Sequence, residues 1–238
     1  MFADIHLTWL GHATFLVETP YEETLLVDPW LAGNPKCPEE YEEVDSDAML
    51  ITHGHADHIG DVFEAEERCS GPVVGIFEMA TWLEQKGIAG ENLEGMNKGG
   101  TIHVDEIRAD VTMVDARHSS SFVDDGEMVY LGEPAGYVVR FSGGDTIYFA
   151  GDTCLFGDMK LIGERHEPDV AVLPIGDRFT MDPTDAAKAC EFLGVETVVP
   201  CHWGTFDALT GTPDQLEEAI DELDLDTTVA KLKPGGRW

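Results

Sequence analysis

The sequence predicts an α/β fold with layers of β-sheet inside and helices outside. Short apolar segments typical of strands outnumber segments with helical spacing, and the helical segments fall between groups of strands in both halves of the chain. The 238 residues contain no low-complexity tract, linker or long-period repeat, and a chain of this length can bury a full core. We therefore expect residues 1–238 to form a single domain.

The first part of the chain has the pattern of a β-meander. Residues 5–9 alternate between apolar and polar side chains, Gly11 and His12 interrupt the pattern, and a second apolar segment follows at 14–18. After a turn, a third strand is predicted at 24–28.

The rest of the chain alternates between buried strands and helices. Apolar segments bounded by turn residues predict further strands at 48–51, Val73–Ile76, 101–108, 111–116, 137–141, 146–150, 169–173 and 197–199. Helical spacing predicts helices at 59–69 and Phe77–Lys86. Capping side chains followed by proline predict two more helices, which begin after Asp182 and Thr212.

Acidic residues dominate the charge of the chain. It has 14 Lys and Arg residues against 47 Asp and Glu residues, which gives a formal net charge of −33. Repulsion of this size destabilises a compact chain in dilute buffer, and molar salt screens it, with a Debye length of about 3 Å at 1 M. We infer a halophilic source, with an acidic mesophilic protein as the alternative. Such a surface is poorly suited to binding nucleic acid.

This charge leads to a testable prediction for stability. We expect the free energy of unfolding to increase as KCl rises to molar concentration, because the salt screens repulsion among the acidic side chains. Chemical unfolding at several KCl concentrations measures the effect. Full stability in low salt would contradict the halophilic hypothesis.

The sequence also bears on cellular location. No apolar run approaches the ~18 residues of a membrane span, and the N-terminus lacks the basic-then-apolar pattern of a signal sequence. We therefore predict a cytoplasmic protein without a membrane partner.

The cysteines are odd in number and show no CxxC spacing, which argues against a disulfide framework or a thiolate zinc cage. They are Cys37, Cys69, Cys154, Cys190 and Cys201.

The densest group of ligand-forming side chains lies at 52–61, Thr-His-Gly-His-Ala-Asp-His-Ile-Gly-Asp. Directly after an apolar strand, it contains three imidazoles and one carboxylate, from His53, His55, Asp57 and His58. Histidine and aspartate are suitable ligands for zinc, iron, manganese or nickel. Because core packing does not require such a density of polar side chains, the segment predicts a metal-binding loop.

Three further residues have the same relation to a strand. His118, Asp152 and His202 each lie just beyond the C-terminal end of an apolar segment. Open α/β sheets gather their ligands at that edge. An Asp after a Gly in a turn is usually only turn chemistry, but core packing does not explain four strand ends that each offer a ligand. We predict that these residues complete the metal site.

These motifs resemble those of the metallo-β-lactamase superfamily. The segment 52–61 matches its HxHxDH signature, and His118, the Gly-Asp-Thr at 151–153 and His202 match its remaining metal motifs in order. Other segments resemble one branch, the metal-dependent hydrolases similar to the L-ascorbate-6-phosphate lactonases; they lie at 10–15, 27–35, 116–120, 151–161, 174–181 and 201–206. The resemblance implies a four-layer αβ/βα sandwich with the site at the edge between two sheets.

The resemblance also implies a centre with two divalent metal ions. Zinc is the favoured ion, and manganese, iron and nickel are alternatives. The implied ligands are, for one ion, His53, His55 and His118; for the other, Asp57, His58 and His202; and for both, a bridging Asp152. A hydroxide that bridges the ions would be the nucleophile, and Asp57 could also accept a proton from it.

Four other residues are weaker candidates. His12 could bind substrate or stabilise an oxyanion, with a structural histidine as the alternative. Asp28 could accept a hydrogen bond from a ligand histidine, although an Asp before Pro is also common in turns. Asp177 and Arg178 could reach a substrate or form a surface ion pair.

Several functions are compatible with such a site, because membership of a superfamily does not select a reaction. Our leading hypothesis is hydrolysis of a small ester, lactone or related bond in a small-molecule substrate. A phosphodiesterase or nuclease is the second hypothesis. It is weaker because a nuclease usually requires a basic groove, and this chain has only 14 Lys and Arg residues. A metal-binding module without turnover is the third, and the complete ligand set argues against it. A redox di-iron protein of the same superfamily is another possibility, but such members tend to carry Glu where this chain has His55. The sequence is compatible with a homo-oligomer. It does not specify the substrate.

Overall fold

The computed structural model describes residues 5–238 and contains two β-sheets with helices on their outer faces. The first sheet has six strands in chain order, β1 to β6, which span His6–Trp9, Phe15–Glu18, Thr24–Val27, Ala48–Leu50, Val73–Ile76 and Leu93–Met96. Strands β1 to β3 pair antiparallel, whereas β3 to β6 pair parallel.

The second sheet has seven strands in the order β15-β14-β13-β12-β11-β8-β7. In chain order they are β7 Thr101–Val104, β8 Ala109–Asp115, β11 Ala135–Phe141, β12 Thr146–Phe149, β13 Val170–Pro174, β14 Thr197–Cys201 and β15 Thr228–Val229. Strands β12 to β15 are parallel, and the others pair antiparallel. A separate hairpin joins β9 Ser121–Asp124 to β10 Glu127–Tyr130.

The helices lie in two groups along the chain. They are α1 Ala56–Ile59, α2 Val62–Glu66, α3 Phe77–Lys86, α4 Met159–His166, α5 Pro183–Leu193 and α6 Pro213–Glu222. Helix α5 begins with the predicted Asp182 cap, and α6 begins with a capping box formed by Thr212 and Gln215. None of the helices in the described part of the chain is long and apolar enough to cross a membrane.

Two hydrophobic cores establish the order of the layers. The larger core contains side chains of both sheets, such as Phe15 from β2 and Phe149 from β12, together with Met79 and Leu83 of α3. The smaller core packs the other face of the second sheet against α4, α5 and α6. The layers are therefore helix, sheet, sheet and helix, which confirms the predicted α/β sandwich.

One predicted helix is wrong. The segment 59–69 does not form a continuous helix; α1 begins earlier, at Ala56, and the chain leaves helical geometry at Asp61 before α2 begins. The cause is the Asp61 carboxylate, which accepts hydrogen bonds from the backbone N–H groups of Leu31 and Gly33. The Asp61 N–H also donates to the Pro29 carbonyl, 3.0 Å away. These bonds tie Asp61 to the neighbouring loop.

The predicted strand at 101–108 is also too long. Strand β7 ends at Val104, and a 3₁₀ turn at Asp105–Ile107 reverses the chain into β8. Arg108 completes the reversal in the left-handed region, with φ of 48°. The prediction missed β6, the β9–β10 hairpin, β15 and α4. Helix α4 buries Met159, Ile162 and Gly163 at helical spacing, but the stripe is only three residues long and the apolar Leu161 beside it is exposed, so the pattern is weak in the sequence.

Candidate metal centre

The predicted ligands converge at one edge of the sandwich. The loop after β4 and helix α1 contribute His53, His55, Asp57 and His58 from the first sheet. The ends of β8, β12 and β14 in the second sheet contribute His118, Asp152 and His202. Backbone bonds join the two sides, because Ala135 N–H donates to the Thr52 carbonyl and His202 N–H donates to the His12 carbonyl.

The first group of possible metal ligands is His53, His55 and His118. One nitrogen from each ring lies within 4.8 Å of the others. His53 Nε2 and His55 Nδ1 are 3.0 Å apart. His53 is fully buried, whereas the His118 side chain is 14% exposed, so the group extends from the core to the surface.

The second group of possible ligands is Asp57, His58, His202 and His12, whose ligand atoms also lie within 4.8 Å of one another. His202 Nε2 is 3.8 Å from Asp57 Oδ2. The Asp57 side chain is 32% exposed, whereas the three imidazoles are buried. Asp57 is therefore the member of this group that solvent and a substrate can reach most easily.

Asp152 lies between the two groups. Its Oδ2 atom is 4.0 Å from His53 Nε2 and 3.6 Å from His118 Nε2. The same oxygen is 3.1 Å from His202 Nε2, and Oδ1 is 3.4 Å from His58 Nε2. A single buried carboxylate thus contacts imidazoles that belong to both groups.

Several atoms at this point lack hydrogen-bond partners. His58 Nε2, His202 Nε2 and Asp152 Oδ1 are buried and have no hydrogen-bond partner in the structure. Buried polar atoms are nearly always satisfied, and each exception requires an explanation. All three are good ligand atoms for a borderline divalent cation. The donor set therefore fits a metal ion.

Hydrogen bonds behind the site determine which ring nitrogens are free. Asp28 Oδ2 accepts a bond from His58 Nδ1, 2.8 Å away, which leaves His58 Nε2 directed at Asp152. Asp28 Oδ2 also accepts from Thr52 Oγ1 at 2.7 Å, and Thr52 Oγ1 lies 3.1 Å from His53 Nδ1. Because the Thr52 hydroxyl donates to Asp28, it accepts from His53 Nδ1, and His53 Nε2 keeps its lone pair.

The pKa shifts reflect this arrangement. Burial holds the pKa of His53 well below its usual range, which keeps the imidazole neutral and able to bind a cation. Burial opposes the charged form of His58, but the Asp152 and Asp28 carboxylates outweigh it and hold the His58 pKa well above its usual range. Burial raises the pKa of Asp152, yet His202 and His58 lower it well below its usual range. The charged form of Asp152 is therefore favoured where the imidazole nitrogens meet.

The structure places His12 beneath the site. The side chain is fully buried and has a φ of 54°. Its Nε2 atom lies 3.0 Å from Asp57 Oδ2, and its Nδ1 atom lies 3.0 Å from Thr205 Oγ1. Burial lowers the pKa of His12 to about 4, although the bond with Asp57 opposes this shift. Both ring nitrogens are occupied, so neither is available to a substrate in this arrangement.

Asp177 and Arg178 follow β13 in an exposed loop. Both have left-handed backbones, with φ values of 66° and 52°. The Arg178 guanidinium lies over the Phe179 ring, 5.3 Å from its centroid, and the Arg178 N–H donates to Asp177 Oδ1. These contacts do not include the predicted ligands.

Four further side chains lie around the site. Ser120 Oγ accepts from the Gly54 N–H, and Ser119 Oγ is 3.3 Å from His55 Nε2. Thr205 contacts His12, and the Phe206 ring lies 5.7 Å from the His12 ring. The segment 201–206 was noted only as part of a family motif. A Thr-Phe pair has no metal-ligand character that would reveal these contacts.

The chain is similar to a known family domain and to proteins that are named metal-dependent hydrolases. The model of the Beta-lactamase superfamily domain matches residues 23–203. A metal-dependent hydrolase from Koribacter versatilis is 50% identical over 235 residues, which cover 98% of this chain and 97% of that protein. A metal-dependent hydrolase from Methanopyrus kandleri is 48% identical over 231 residues, with 97% and 98% covered.

A solved structure is similar over the same length. Igni18, a metallo hydrolase from the hyperthermophilic archaeon Ignicoccus hospitalis, has a TM-score of 0.85 and 34% sequence identity. The alignment covers 98% of this chain and 97% of Igni18. The similarity therefore extends over nearly the whole chain.

Proposed function

Because this chain belongs to the beta-lactamase superfamily and is a metal-dependent hydrolase with the metallo-β-lactamase fold, we propose that it uses two divalent metal ions to hydrolyse a small ester, lactone or related bond. The observation that carries the proposal is the position of Asp152, which contacts imidazoles of two separate ligand groups. Contributions from both sheets also support one hydrolase domain over residues 1–238.

The proposed ligands follow the two groups. His53, His55 and His118 would hold one ion; Asp57, His58 and His202 would hold the other; and Asp152 would be shared. Zinc is the favoured ion because nitrogen and carboxylate ligands suit it, and manganese, iron and nickel accept the same ligands. When bound, two such ions supply the Lewis acidity that lowers the pKa of water towards ~7 and polarises the bond to be cleaved.

The side chains have separate roles around this centre. Asp57 is the accessible carboxylate, so it can accept a proton from the attacking water and transfer it to the leaving group. His12 fixes the Asp57 carboxylate through the 3.0 Å contact and acts as a positioning residue. Asp28 and Thr52 hold the His58 and His53 rings with Nε2 directed into the site.

The scarcity of cations weakens a nuclease or phosphodiesterase that binds a polyanion, because the chain has 14 Lys and Arg residues against 47 Asp and Glu residues. Within residues 5–238, the ion pairs of the site join histidines to Asp28, Asp57 or Asp152, and none includes a lysine or arginine. A polyanionic substrate usually requires such cations. We therefore rank a lactone or ester hydrolase first and a phosphodiesterase or nuclease second.

Metal removal tests the proposal directly. We expect chelation to abolish turnover of a lactone and ester panel, and zinc to restore it, because without metal the site supplies only carboxylates and imidazoles. Each chain should bind two ions, as measured by elemental analysis of the purified protein.

A His12→Ala variant should retain both ions yet lose ~10- to 100-fold in kcat, because the Asp57 carboxylate loses the hydrogen bond that positions it.

The same assay separates the alternatives. Bis-p-nitrophenyl phosphate run beside the lactones would favour a phosphodiesterase if it alone is cleaved. Two bound ions without turnover of any substrate would favour a binding module. Turnover that survives complete removal of metal would contradict the proposal.

A further inference from the structure

An aromatic surface borders the second ligand group, and we name the rings of Trp30 and Phe206 the aromatic shelf. The two rings stack with centroids 6.0 Å apart and an angle of 30° between their planes. Phe206 is 46% exposed, although it is a large apolar side chain. An exposed aromatic ring of this kind is free to contact a ligand.

The shelf lies next to the proposed metal ligands. The His12 ring is 5.1 Å from Trp30 and 5.7 Å from Phe206, with edge-to-face geometry in both pairs. His12 in turn contacts Asp57 at 3.0 Å and packs against His202, with ring centroids 4.0 Å apart. His12 therefore contacts both the shelf and the accessible Asp57 carboxylate.

The backbone holds Phe206 in this position. Thr205, the preceding residue, has its hydroxyl 3.0 Å from His12 Nδ1. The Phe206 carbonyl accepts from the Leu209 N–H at 2.9 Å, which closes the loop after β14. The Phe206 backbone thus belongs to the same loop that carries His202.

From this geometry we propose that the substrate carries a flat apolar group, such as an aromatic ring, beside the bond that is cleaved. The group packs on Phe206 and Trp30 while the carbonyl enters the site near Asp57. This inference rests on the proposed ester or lactone hydrolysis and specifies its substrate class. The ion pairs around Asp57 join it to histidines, and the apolar shelf beside them offers no charge to bind a charged group.

The first test compares two lactones, the aromatic 3,4-dihydrocoumarin and the aliphatic δ-valerolactone. The ratio of their kcat/KM values is measured in the wild-type protein and in Phe206→Ala, so that the intrinsic reactivity of each lactone cancels. We expect the ratio to fall about three- to tenfold in Phe206→Ala, because one aromatic contact is lost. Phe206→Tyr should restore it, and metal content should be unchanged.

A matched control comes from Tyr21, which is 59% exposed in the turn between β2 and β3, at the end of these strands opposite to Asp28. Tyr21→Ala should leave the ratio unchanged. An unchanged ratio in Phe206→Ala would overturn the assignment of the shelf, even if activity on both lactones fell by the same factor.

A binding measurement keeps the shelf testable if no lactone is cleaved. Acetanilide is a neutral aromatic amide, and saturation-transfer NMR reports its contact with the metal-loaded protein. We expect transfer to its ring protons in the wild-type protein and a reduction of at least about threefold in Phe206→Ala. Equal transfer in both proteins would overturn the inference, whereas absence of lactone turnover would count only against the proposed reaction.

Discussion

Asp152→Asn should lose at least about 100-fold in turnover and bind fewer than two metal ions per chain. The replacement keeps the size of the side chain but removes the charge of the carboxylate that contacts both ligand groups. Substitutions of residues that only orient metal ligands already cost 10- to 100-fold, roughly, so loss of a shared ligand should cost more. Elemental analysis and kcat/KM on the lactone panel measure both effects.

The control for this substitution is Asp221→Asn, which makes the same chemical change at an exposed position on α6. It should bind two ions and retain wild-type turnover. If Asp152→Asn bound two ions with more than about a tenth of the wild-type activity, Asp152 would not be a bridging ligand.

Asp28→Asn should weaken both metal positions together, although Asp28 is in neither ligand group. Its carboxylate accepts from His58 Nδ1 and from Thr52 Oγ1, and Thr52 supports His53. The other carboxylate oxygen, Asp28 Oδ1, accepts from the Thr52 N–H at 2.8 Å. An Asn side chain has a single acceptor oxygen, so its NH₂ group would face either this N–H or the donors His58 Nδ1 and Thr52 Oγ1, and part of the set of bonds would be lost. We expect metal affinity to fall about 10- to 100-fold at each position, as measured by calorimetric titration.

Asp47 supplies a close control for this substitution. It accepts bonds from the backbone N–H and the hydroxyl of Thr24, as Asp28 does from Thr52, but it precedes β4 and lies at the opposite end of that strand. Asp47→Asn should cost about 1–3 kcal/mol of stability through lost hydrogen bonds and leave metal affinity unchanged. A loss of affinity at only one position in Asp28→Asn would contradict the link through Thr52.

Most of the fold could be predicted from local patterns. Helix α3 has the predicted bounds, and strands β1 to β5 lie within a few residues of their predicted positions. The helix after the histidine loop was wrong because Asp61 bonds to a loop 30 residues earlier, a contact that helical periodicity does not contain. Strands β6 and β15 were missed because short segments at the margin of a sheet have little local signal.

The candidate site, like the fold, could be predicted from the sequence only in part. The segment 52–61 has the residue types of a metal loop, and the other three strand ends supply residues of the same kind. The role proposed for His12 depends on burial and on its contact with Asp57, 45 residues away in sequence. Phe206 and Thr205 carry no metal-ligand signature, so their position next to His12 became visible only in three dimensions.

The sequence by itself determined which side chains can bind a metal and that each follows a strand, because residue chemistry and hydrophobic periodicity are local properties. Only the tertiary structure decided the distances between these side chains and the hydrogen bonds that hold them. The loop at 52–61 belongs to one sheet, and His118, Asp152 and His202 belong to the other. Their distances depend on how the two sheets pack, and this packing is set by the shared core rather than by any short segment.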